Sequence, residues 1–307
     1  MIADRTANKF RVKATSRVIR EWFLTNLCLL AGLISIATTI SIIFVLFNEA
    51  RKFFSVVSPS EFYLGREWQP LFAEPKFGAL PLLLGTFQIA VGSALIALPI
   101  GLLIAVYLSE YASAKTRSIV KPALEILAGI PTVVYGFLGL TFVTPILKSW
   151  GLPLDTFNAL SGAVVVGIMI IPLVTSLSED AISAVPKATR EAAYGLGASK
   201  AEVIGTVVLK SASSGIAASF ILAISRAVGE TMAVTLAAGA KPNFTLSPFE
   251  QVQTMTAYIA ATVKGDVPYG STGYQTLFAV GFTLFVITLA LNLLSMKLVQ
   301  RLKRHHG

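Results

Sequence analysis

Five stretches of this chain run for at least 22 residues without a charged side chain: residues 22–48, 77–109, 126–147, 156–178 and 267–296. A sixth, 211–240, is broken only by Arg226 and Glu230. A bilayer core about 30 Å thick takes about 20 helical residues to cross, and lipid accepts no unpaired backbone. The runs therefore predict an all-α polytopic membrane protein of six transmembrane helices, with spans near 22–48, 80–109, 122–147, 156–178, 211–240 and 274–298. Only 13% of the 307 residues are charged, against about 25% in a soluble protein, and the mean hydropathy is +0.73. The first run is too long for a signal-peptide core and reads as an uncleaved span. A basic arm, 1–21, precedes the membrane domain of 22–299, and a basic tail, 300–307, follows it.

Lys and Arg set the orientation. With the N-terminus inside, the inner segments hold 17 of the 25 basic residues and the outer ones 7, with Arg226 left in the membrane. Both termini, and the polar segment 179–210, are expected on the cytoplasmic side. The net charge of +9 gathers at run ends and forms no soluble basic face, so nucleic acid is not expected as a partner. Cys28 is the one cysteine, and His305 and His306 are the only histidines. That leaves no internal disulfide and no buried His or Cys metal site.

Small residues recur every fourth position at Ser93, Ala97, Gly101 and Ala105, and again at Gly215, Ser219, Ala223, Ala227 and Thr231. Each series would line one helix face and admit a neighbouring backbone closely. Gly129, Ile130, Pro131 and Gly136 suggest that the third span is a kinked helix. The external segments 49–76 and 241–273 read as loops. The second contains TMTAYIA (254–260), which either touches a partner or caps the bundle.

Between Pro186 and the pair Gly195 and Gly197 lies a short helical segment with a small apolar face of Ala192, Ala193 and Leu196. It reads either as an element that enters a groove on a soluble partner or as an amphipathic helix resting on the membrane. Glu191-Ala192-Ala193, then Gly197, then Val207-x-Leu209 resemble the EAA loop of ABC-importer permeases, with Lys210 standing where that motif has proline. FGALPLLLGTF (77–87), LAGIPTVVYGFLGL (127–140), EDAISAVPKATREAAYGLGA (179–198) and SRAVGETMAVTLAAG (225–239) extend the resemblance to the phosphate-specific permeases, C-type subunit, over roughly residues 75–299. The resemblance implies a type I, MetI-like permease fold. Glu191, Ala192, Ala193, Leu196 and Gly197 would form the coupling helix that sits in a cleft of the ATPase. It implies as partners a second, A-type permease, two ATPase subunits that use ATP and magnesium, and an extracytoplasmic phosphate-binding protein. The place implied is the bacterial inner membrane.

Arg226 and Glu230 are four apart, so on one continuous helix they share a face and neutralise each other in part. An ionisable residue at membrane depth is costly and faces protein or a wet cavity. Against the resemblance, Arg226 is expected to offer its donor fork to the passing anion, with Glu230 keeping it oriented; an ion pair that only fixes packing is the alternative. Thr231, Thr132 and Tyr135 are secondary candidates for lining the path, each with a packing role as the alternative, and Glu125 sits near its inner exit. No G-x-x-x-x-G-K-[ST] phosphate loop is present, so the chain is not expected to be the ATPase itself; it reads as a non-catalytic membrane subunit that binds no cofactor of its own. Alternatives in other classes are a permease for sulfate or molybdate and an autonomous channel or secondary transporter. A membrane hydrolase would lack an acid–base set.

Overall fold

The computed structural model describes the backbone of residues 2–265 and 267–306, and side-chain surroundings from residue 17 to 300 apart from Asp266 and Leu298. The side chains of most of the basic arm and of the tail beyond 300 lie outside the described residues. Among the described residues six helical stretches are long and apolar enough to cross a bilayer: Arg17–Val56, Leu80–Tyr111, Thr132–Ser149, Ala159–Ser183, Lys200–Val228 and Thr272–Lys297.

The chain begins with α1 (Ile2–Val56), followed by α2 (Pro59–Leu64) and a two-stranded antiparallel ribbon of β1 (Trp68–Gln69) and β2 (Lys76–Phe77). Next come α3 (Leu80–Val106), which ends in a π turn at Tyr107–Tyr111, and α4 (Ala114–Gly129). A broken helix follows: α5 (Thr132–Leu138), a π turn at Gly139–Val143, and α6 (Thr144–Ser149). The second half holds α7 (Ala159–Ser183), α8 (Lys187–Gly195), α9 (Lys200–Glu202) with a π turn at Val203–Val208, α10 (Leu209–Val228), α11 (Met232–Ala237), α12 (Met255–Lys264) and α13 (Thr272–His306).

The central helix is α7. Val166, Ile170 and Val174 are wholly buried along it, against Ile89 and Ala97 of α3, Ala223 and Ala227 of α10, and Ala233 and Val234 of α11. Both small-residue stripes meet this helix. A Cβ on Gly101 would lie 2.7 Å from Val174 Cγ1, and one on Gly215 would lie 2.5 Å from Ala181 Cβ. Such approach, with the Ser178–Ser219 hydroxyl contact at 2.8 Å, is how helices without a solvent-driven apolar effect hold together. The start of α7 is fixed by Asn158, fully buried, whose Oδ1 accepts the Ser161 amide at 2.8 Å.

Two runs fold differently from the sequence reading. The third is two helices rather than one kinked helix. Pro131 disfavours helical geometry at the residue before it, and Ile130 is extended at φ −65, ψ 130. The helix α4 therefore stops, and a new span begins at Thr132. The fifth run also breaks: α10 ends at Val228, and α11 starts at Met232.

Segments 49–76 and 241–273 pack onto the bundle rather than forming loose loops. Phe53 of α1, Phe62 of α2, Trp68, Phe77 and Tyr258 of α12 form a buried cluster, with ring centroids 4.9–5.9 Å apart in edge-on pairs. TMTAYIA is largely the first turns of α12, with Met255, Ala257 and Tyr258 buried, so it caps the bundle. By contrast, every side chain of α1 from Arg17 to Ile42 is exposed in the single chain.

Candidate substrate path and docking helix

A cavity of about 250 Å³ opens between α4, α7 and α10. Its apolar wall includes Leu124, Met169, Pro172 and Leu173, and its polar groups come from Lys121, Glu125, Thr175, Ser176, Glu179 and Arg226. Met169 and Glu179 stand ten residues apart on α7, about 15 Å at helical rise, so the cavity runs along the bundle. Arg226 sits seven residues beyond Ser219 on α10, about 10 Å further from the α8 end than the Ser178–Ser219 contact. It marks the end further from α8, and Lys121 with Glu179 marks the end nearer α8.

Arg226 and Glu230 do not pair. Their four-residue spacing implies a shared face only on an unbroken helix, and α10 stops at Val228 with Gly229 as its cap. Glu230, 8% exposed, turns away and accepts the Ala233 amide on Oε1 at 3.2 Å, capping α11, while its backbone carbonyl accepts the Thr256 hydroxyl at 2.7 Å. The ion pairs among the described residues join Arg17 to Glu21, Lys52 to Glu49, Arg117 and Lys121 to Glu179, Lys121 to Asp180, and Arg190 to Glu110. Arg226 is in none of them; it is exposed in the single chain and lines the cavity.

The secondary candidates divide. Tyr135 is buried, and its hydroxyl donates to the Leu127 carbonyl at 2.7 Å, closing the break between α4 and α5. That is a backbone-bonding role. Thr132, half-buried, opens α5 one residue after Pro131. Thr231 lies in the unwound link, its hydroxyl 3.4 Å from the Gly229 carbonyl. The structure does not bring Thr132, Tyr135, Glu230 or Thr231 into the cavity wall, but it does place Glu125 there.

Two ionic joints carried no signal in the sequence. Lys121 Nζ donates to Glu179 Oε2 at 2.9 Å, and Glu179 is 4% exposed. The Glu179 hydrogen bond holds Lys121 above the usual lysine value, against the opposing effect of burial. The ammonium thus stays charged until pH rises past the ordinary lysine range. The second joint ties the short helix α8 to the π turn of α3. Arg190 Nη2 meets Glu110 Oε1 at 3.2 Å and donates to the Ile182 carbonyl at 2.7 Å. The carboxylate contact is close but misaligned, so Glu110 Oε1 and Arg190 Nε lack a hydrogen bond.

Pro186 sets the start of α8, and Gly197 at φ +84 ends the turn after it, a backbone angle that strains any residue with a Cβ. Glu191 and Ala192 point outward and Leu196 is 90% exposed. Ala193 instead packs inward against the π turn at Val203–Val208. The outward face is therefore Ala192 and Leu196, joined by Tyr194 at 43% exposure. Lys210, in the position of the motif's proline, keeps its amide, and the helix runs on from Lys200 to Val228.

Residues 97–305 match the model of the family described as binding-protein-dependent transport system inner membrane component. The chain belongs to that family. Among relatives of this inner membrane component, a probable ABC transporter permease protein, YqgH of Bacillus subtilis, is 36% identical over 274 residues, 89% of this chain and 88% of the relative. The phosphate transport system permease protein PstC of Xylella fastidiosa is 33% identical over 267 residues, 80% of each chain. Solved ABC importer permeases share the fold. A chain of a bacterial alginate ABC transporter in complex with its pentasaccharide-bound periplasmic protein aligns with a TM-score of 0.61 and 17% identity, covering 93% of this chain and 96% of that one. A chain of the MetNI methionine ABC transporter aligns at 0.54 and 18%, covering 73% and 94%. The all-α, six-span architecture is that of a MetI-like ABC importer permease.

Proposed function

We propose that this chain is the permease subunit through which an ATP-driven importer moves inorganic phosphate into the cytoplasm by alternating access. The observation that carries the reading is Arg226, which lines a cavity along the bundle and, among the described residues, pairs with no carboxylate. A planar donor fork suits a tetrahedral oxyanion, and one unpaired arginine inside a span is a functional group before it is a structural one. The relatives named as phosphate permeases, at 31–33% identity, favour phosphate among the oxyanions.

The bias of Lys and Arg supports placing both termini and α8 on the cytoplasmic side of a bacterial inner membrane, with the aromatic cluster outside. On that orientation α8 is the coupling helix: Glu191, Ala192, Leu196 and the turn at Gly197 meet an ATPase subunit, and Ala193 seats the helix on its own protein. The partners are an A-type permease, two ATPase subunits that bind ATP and magnesium, and an extracytoplasmic phosphate-binding protein. This chain itself carries no cofactor and catalyses no reaction. Closure of the ATPase pair would draw on α8 and open the path outward; hydrolysis would reset it inward.

The test is labelled-phosphate uptake by cells that lack their own high-affinity importer and express this chain with its partners, with excess sulfate or molybdate as competitor. Uptake insensitive to both competitors is expected, and Arg226→Gln should abolish it with the complex still assembled. Wild-type uptake by Arg226→Gln would remove the path role. Suppression by sulfate or molybdate would move the assignment to those anions.

A further inference from the structure

At the end of the cavity nearer α8, the cation facing the path is already occupied. Lys121 Nζ lies 2.9 Å from Glu179 Oε2 and 3.6 Å from Asp180 Oδ1. A carboxylate shows an ammonium what a phosphate would show it, two oxygens sharing negative charge. Glu179 therefore stands where an oxyanion arriving along the cavity would bind. Its other oxygen accepts the Ser183 hydroxyl at 3.3 Å and faces Arg117 Nη2 at 3.8 Å. Arg117 is itself anchored, donating to the Leu108 carbonyl at 2.7 Å and the Ser109 carbonyl at 3.2 Å. If Glu179 released Lys121, its charge would still have a serine hydroxyl and a guanidinium beside it. A buried carboxylate left with no partner would cost several kcal/mol, and here that cost is averted by groups already in place.

We infer that Lys121 is a second anion contact on the path and that Glu179 is its built-in competitor. Phosphate handed on from Arg226 takes the place of the Glu179 carboxylate on Lys121, and the return of that carboxylate expels the anion toward the α8 end. The exchange breaks no covalent bond and moves no proton. It meets the requirement that a transport site bind weakly enough to release. Ser176, half-buried in the cavity wall, and Thr175, whose hydroxyl is spent on the Gly101 carbonyl at 3.2 Å, lie between the two cations on α7. Glu125, in the same wall, keeps the stretch between them from trapping the anion. The inference rests on the reading of Arg226 as a path residue.

The experiment uses the whole complex, reconstituted in membranes with its partners. It measures labelled-phosphate uptake, and the phosphate retained by the complex after rapid filtration. Lys121→Met should assemble normally, because the lysine side chain is 40% exposed and Arg117 still holds Glu179. Its uptake should fall about tenfold or more, the effect of losing one charge-assisted hydrogen bond, and Lys121→Arg should restore most of it. Glu179→Gln should retain more phosphate than wild type while transporting less, a gain that a purely structural ion pair would not give. Uptake by Lys121→Met at the wild-type rate would overturn the inference. So would a Glu179→Gln complex that assembles and retains no extra phosphate. Should Glu179→Gln not assemble, the Lys121 pair of variants decides alone. A wild-type complex that takes up no phosphate overturns the path reading itself, whereas phosphate uptake that is lost in Arg226→Gln and kept in Lys121→Met overturns only this inference.

Discussion

The two ends of the bundle are held differently: both bury apolar side chains, but among the described residues only the α8 end adds ionic joints between helices. At the α12 end, Phe53, Phe62, Trp68, Phe77 and Tyr258 interlock as apolar rings. At the α8 end, a smaller aliphatic cluster of Ile182, Val185, Val203 and Val208 is supplemented by directional contacts: Arg190 to Glu110, Lys121 to Glu179, and the Lys200 ammonium 4.3 Å from the centre of the Tyr111 ring. Aromatic packing is lost only by pulling surfaces apart. An ion pair with a second partner nearby can be exchanged for another of similar energy. The first suits a fixed frame, the second a set of joints that change partners.

The largest expected effect that sharpens this contrast is at the frame. Phe62→Ala, at a wholly buried ring, should cost about 3–5 kcal/mol of stability, read as a lowered unfolding midpoint of the purified chain in detergent. Arg190→Met should cost less, about 1–3 kcal/mol, since its contact with Glu110 is misaligned and no packed core is removed. Its ATPase partner should keep hydrolysing while phosphate uptake falls, measured together in proteoliposomes. Equal losses of stability at Phe62 and Arg190 would erase the distinction between frame and joint. The smallest effect belongs to Leu196→Ser: at 90% exposure it should shift stability by under about 0.5 kcal/mol, yet reduce the amount of ATPase subunit that co-purifies. Unchanged co-purification would take Leu196 out of the docking face.

What could be read from the sequence was whatever depends on local spacing. The six spans follow from the length of apolar runs, and the stripe from Ser93 to Ala105 follows from a four-residue repeat, because α3 is continuous where that stripe lies. The same reasoning failed at Arg226 and Glu230, where it assumed a helix through Gly229 that the chain does not form. It also joined α4 to α5 across Pro131, whose hold on Ile130 is a break and not a bend. The Lys121–Glu179 and Arg190–Glu110 joints were not legible at all. Their partners come from separate helices, and no periodicity links them. Ala193 was assigned to the outward face of α8 because composition alone does not say which side of a nine-residue helix meets its own protein.

The π turn at Val203–Val208 adds one residue to a helix that otherwise runs from Lys200 to Val228. A π turn is an α-helix with one residue inserted, and the flanking turns keep their facing. This segment thus carries a spare amino acid. Deleting one residue inside it would relax the turn to an ordinary α-helix and leave Arg226 aimed where it is. Deleting one further along, within α10, would swing everything beyond it by about 100°. The tolerance of this helix for a lost residue is therefore confined to a six-residue window, and a change of length that is harmless there would turn Arg226 away from its cavity a few positions later.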